Sequence, residues 1–159
     1  MRREGGRPQS VDREVFCVPR LVRPMRLDID GLPKLGTRSK CLGVREPPDR
    51  HADVDVDKAG NVLLNRKGLS VSAAGRQLPG HLIPEHLDDG FNGASCIGMR
   101  VFVHGTGPFQ EGPVAMGLEL LHKAHASESG VVAPTASVPL PQYQQDLADT
   151  RPNWAIDES

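Results

Sequence analysis

Between residues 99 and 104 the chain reads MRVFVH, with Val101 and Val103 alternating against Arg100, Phe102 and His104. Alternation with period two sends successive side chains to opposite faces of an extended chain, so a strand is predicted there. GLSVS, from Gly68 to Ser72, repeats the pattern with Leu69 and Val71 on one side and Ser70 and Ser72 on the other. Residues 14–27, EVFCVPRLVRPMRL, predict one or two strands in which Leu21, Arg23, Met25 and Leu27 share a face. Pro19 and Pro24 lack the N–H that a ladder needs, which confines this stretch to a sheet edge or a break. Arg23 is then the one charge in an otherwise apolar phase.

Asp53, Asp55 and Asp57 alternate with Val54 and Val56 before Lys58-Ala59-Gly60, which predicts a strand, a turn and a second strand over NVLLN. Leu118 to Leu121 and Gly130 to Ala133 are further strand candidates, and DIDG at Asp28 to Gly31 is a turn. Residues 46–53, 75–98 and 105–113 read as irregular. Helical spacing occurs late: Leu140, Tyr143 and Leu147 fall on one face, Pro141 suits a first turn, and Pro152 closes the run. Residues 1–12 read as a disordered tail and residues 13–159 as one domain. Short, mostly antiparallel strands with one or two helices define an α+β class.

Composition narrows the function classes. The chain has 159 residues with 17 Gly and 14 Pro, which accounts for short elements and many turns. One Trp, one Tyr and four Phe provide few platforms for stacking bases, and a net charge of −1 is no footprint for a polyanion, so no nucleic-acid partner is expected. The charge is uneven. Residues 1–50 hold twelve Lys and Arg against seven Asp and Glu, and the remainder holds seven against thirteen. Three separated cysteines, Cys17, Cys41 and Cys96, contain no CxxC pair, which fits reduced thiols in a cytoplasmic protein. No apolar run reaches the roughly 18 residues of a membrane helix, so no membrane partner is expected. The start MRREGGRPQS is not followed by a signal-type apolar stretch.

Common catalytic and metal patterns fail on spacing. The acidic run from Asp53 carries Lys58 and Leu64 where a calcium loop needs Gly and Glu. His81 and His86, and His122 and His125, lack the HExxH pattern, and GASC around Ser95 is not a nucleophile elbow. No metal is expected. Three features remain. Arg23 needs a partner or a cleft, because a charge on an apolar face is costly to bury; Ser70 and Ser72 project together; and His81 sits in LPGHLIP just after them. Each also has a plain reading, as a buried ion pair, solvated hydroxyls and a turn cap.

In order along the chain, LVRPM, DGLPKLGTRSKCLGVR, GNVLLNRKGLSVS, LPGHLIP, GLELL, VVAPTASVPL and QYQQDL resemble a family of small bacterial and fungal proteins. It includes type VI-secreted toxins with an ADP-ribosyltransferase-like fold. The resemblance spans about residues 21–154 and implies that the chain is toxin-like and binds NAD or a related nucleotide. Arg23, Ser70 and Ser72 would hold that cofactor, a guanidinium fork suiting phosphate oxygens, and His81 would be the catalytic residue. The implied activity is ADP-ribosyl transfer or NAD breakdown, with a neutralising immunity protein as partner and export by an injection apparatus. The transferases carry a glutamate near the late strands, whereas GVVAPTASVPL has Ala133 and no acid; Glu119 and Glu111 are the nearest candidates. The alternative is a non-enzymatic interaction module that kept the fold and lost the catalytic acid.

Overall fold

The computed structural model describes residues 17–74 and 98–158. The described strands are β1 (Leu21–Arg26), β2 (Leu69–Ser72), β3 (Met99–His104), β4 (Gly112–Ala115), β5 (Leu118–Lys123), β6 (Ala126–Pro134) and β7 (Ala155–Ile156). They form one sheet in the order β4-β5-β6-β2-β1-β3-β7, and every neighbouring pair is antiparallel. Helix α1 (Leu140–Asp149) and a 3-10 turn (Arg151–Asn153) follow β6. The α+β class expected from the sequence is observed. The strands at 69–72 and 99–104 and the helix lie where alternation and helical spacing put them.

One expectation is corrected. Proline was expected to confine the first strand to an edge or a break, and the edge is what is overturned: β1 is interior, with β3 along its full length on one side and β2, in an interrupted ladder, on the other. The backbone N–H of Asp157 donates to the Val101 carbonyl from the β7 side, so Val101 and its partner Pro24 form a pair without mutual hydrogen bonds. The backbone of Pro24 therefore points toward β2. There its missing N–H would have met Ser70, two residues along from the Val22–Ser72 pair. The ladder between β1 and β2 stops after that one pair. Proline is tolerated inside the sheet because its blank side meets the gap and not β3.

The second corrected element is the Asp53 region. Two strands were expected, but the arms meet in an isolated bridge between Val56 and Val62 around a turn, and Asn61 is bridged to Pro139. One Asp57 carboxylate oxygen accepts from the amides of Ala59 and Asn61, and Gly60 takes a left-handed φ of 86°. This side-chain capping tightens the turn, and the two arms keep two backbone bonds, from Asp57 N to Asn61 O at 2.9 Å and from Leu63 N to Asp55 O at 2.8 Å. Past the turn, Val62 and Leu140 pair with Val138 and Gly60, which ties this loop to the entry of α1.

The main core lies between one sheet face and α1. Leu21, Met25, Leu69, Val71, Phe102, Leu118, Leu120 and Val132 meet Tyr143 and Leu147 of the helix, with Trp154 beyond it. The Tyr143 hydroxyl accepts from Leu69 N at 3.1 Å and donates to Val132 O at 2.5 Å, pinning the helix where β2 meets β6. Gly68 makes this possible: a Cβ there would lie 2.4 Å from Val132 O and 2.8 Å from the tyrosine oxygen. Gln144 holds the other flank through its amide, which bonds both N and O of Val44. The opposite sheet face also buries Val22, Met99, Val101, Val131 and Ala133. No helix among the described residues is long and apolar enough to cross a membrane.

Candidate functional site

Arg23 points to the main core, in phase with Leu21 and Met25, and is 6% exposed. Its guanidinium is a clamp on backbone. Nη1 donates to Ser70 O at 2.8 Å, and Nη2 donates to Ser39 O at 2.7 Å and Cys41 O at 2.9 Å. The Ser70 carbonyl is the one opposite Pro24, so the arginine supplies the donor that the proline lacks. Burial pushes the guanidinium down to about 10, against the smaller opposing pull of Asp53, which leaves it cationic at neutral pH. Nε has no hydrogen-bond partner among the described residues.

The two serines lie on the other side of the sheet. Val22 faces Ser72 across the ladder, and directly opposed residues share a face, so the side chains of Ser70 and Ser72 project away from that of Arg23. Ser70 is exposed and Ser72 is 8% exposed. The structure thus brings Arg23 to the carbonyl of Ser70 but to neither hydroxyl. His81 lies outside the described residues, as do the 1–12 tail and most of the stretch read as irregular.

The two acidic candidates part company. One Glu111 carboxylate oxygen accepts from His122 N at 2.8 Å and from Arg66 Nη2 at 2.6 Å, and these bonds hold its carboxyl below the usual range, the backbone N–H contributing most. Arg66 adopts a left-handed φ of 64° and bonds His122 O as well, so this trio laces the end of β5 to the 63–67 loop. Glu119 is different. It stands opposite Ala133, and Ala133 is two residues from Val131, which stands opposite Ser70. Glu119, Ser70 and Ser72 therefore share the outer face, with Glu119 about 12 Å from Ser70, two strand spacings across and two residues along.

Beside Glu119 is a groove of about 200 Å³. Leu121, Ala133 and Pro134 form its floor, Leu63 and Leu64 its wall, and Arg66, Lys67 and Glu119 its polar border. Leu64 is 58% exposed. Arg66 is paired with Glu111 and Lys67 with Asp55, at 2.6 and 2.9 Å. Sequence reasoning missed this site. The signal available was two adjacent leucines after a polar turn, flanked by Asn65, Arg66 and Lys67, where an alternating strand would have hidden one of them.

Fold and site together define an α+β domain whose described strands form one antiparallel sheet, with an apolar groove on its outer face. Compared with known proteins, the chain matches no family model, no curated protein and no solved structure.

Proposed function

We propose that the chain is a non-catalytic interaction module on an ADP-ribosyltransferase-like scaffold, and that the groove at Leu63, Leu64 and Leu121 is its working surface. One observation carries the reading: the arginine assigned to nucleotide phosphate spends its fork on three backbone carbonyls inside the core. A phosphate would have to displace all three and reach a side chain that is 6% exposed. The groove adds to this support. Exposed leucines over a small apolar floor suit one aliphatic side chain of a partner, and the volume is below the roughly 300 Å³ at which small-molecule pockets begin.

A second reading keeps the nucleotide. It is favoured by the shared face of Glu119, Ser70 and Ser72, which would supply a carboxylate and hydroxyls to the ribose without using Arg23. One set of measurements separates the two. On the module reading, calorimetric titration with NAD gives no heat of binding and no nicotinamide is released on incubation. The apolar dye ANS fluoresces with the native chain, and the signal drops in Leu64→Asp at an unchanged urea midpoint. Nicotinamide release that is lost in Glu119→Gln would overturn the module and establish the nucleotide.

A further inference from the structure

Resting on the groove as a docking surface, we infer the chemistry of its partner: an extended protein segment carrying an aliphatic side chain beside a lysine or arginine. The inference comes from the balance of charge at the border. Both cations there are already neutralised, Arg66 by Glu111 and Lys67 by Asp55. Asn65 also donates to Asp55, so that carboxylate has two donors of its own. Glu119 makes no ion pair or hydrogen bond among the described residues and stands at the border, opposite Ala133 and two residues along β5 from Leu121. The uncompensated charge of the groove is thus negative, set next to apolar surface.

Such a site discriminates in two ways. Aliphatic burial against Leu63, Leu64 and Leu121 supplies attraction without regard to charge. Glu119 then selects among aliphatic segments, favouring a neighbouring cation and repelling an acid, since opposed potentials across a contact set specificity more than affinity. The leucines sit on a loop stiffened by the Arg66–Glu111 and Lys67–Asp55 pairs, which limits the ordering cost on binding.

The test uses the intact chain with methyl-labelled leucines and two blocked peptides, one with leucine between lysines and one with leucine between glutamates. The lysine peptide is expected to shift the methyl signals of Leu63, Leu64 and Leu121 at millimolar concentration. The glutamate peptide should bind about threefold to fivefold more weakly, the size of an exposed charge pair. Glu119→Lys should reverse the order, with the urea midpoint reporting that the variant is folded. Equal binding of the two peptides would overturn the charge rule while leaving the groove as a docking surface. No shift with either peptide would also overturn the inference, and retained ANS binding would show that the module reading stands without it.

Discussion

Replacing Arg23 with methionine keeps much of the aliphatic stem and removes the donors, so it isolates what the guanidinium does. Three carbonyls lose their partner. That of Cys41 is in a buried bond and cannot recover water, which costs about 1–3 kcal/mol. Those of Ser39 and Ser70 are in part-buried bonds, so water can return and each loss is closer to about 1 kcal/mol. Set against these is the relief of no longer desolvating a charge, which offsets part of the total. The expected net destabilisation is about 2–4 kcal/mol. In urea, with a slope of about 1–3 kcal/mol per molar, the midpoint should fall by about 1 M or more. Hydrogen exchange supplies the local readout: Leu42 N, bonded to Lys34 O, and Arg26 N, bonded to Lys40 O, should lose protection before the β5–β6 ladder does. An unfolding free energy within about 0.5 kcal/mol of the wild type, typical of a harmless surface substitution, would refute the reasoning. It would show that the carbonyls do not depend on the arginine and would free Arg23 for a ligand.

Gly68→Ala should be destabilising by about 2–3 kcal/mol, because the added Cβ meets the Val132 carbonyl inside a ladder and the pinned Tyr143 hydroxyl, neither of which can yield; an unchanged thermal midpoint would contradict this. His104 is 4% exposed beside Trp154, and burial holds its imidazole below the ordinary 6.5. The unfolded chain then binds this proton more readily, so stability is present above pH 6.5 and declines as pH falls through that value toward the lower folded one. Urea midpoints at pH 7.5 and 5.5 should therefore differ more in the wild type than in His104→Leu, and equal slopes would remove His104 as the cause.

Much of the local structure was legible because it depends on near neighbours. GLSVS and MRVFVH declare strands by alternation. The helix announces itself through Leu140, Tyr143 and Leu147 and ends before Pro152, since each signal acts within one turn of the chain. The candidate site was legible only as residue types. An arginine on an apolar phase was correctly seen to need compensation, but its partners are carbonyls of residues 39, 41 and 70, and carbonyls have no sequence signature.

What the sequence determined by itself, then, is the place and apolar faces of β1, β2, β3, β5, β6 and the helix, properties of a few consecutive side chains, but not the short strands β4 and β7. Tertiary structure alone decided that a proline-bearing strand could be interior, because only strand order shows which side of Pro24 lacks a partner. It also decided which faces meet: one register pair, Val22 with Ser72, sets Arg23 and the serine hydroxyls on opposite sides of the sheet. The groove joins Leu63 to residues more than fifty positions away on β5 and β6, and no local pattern encodes which distant surfaces a folded chain brings together.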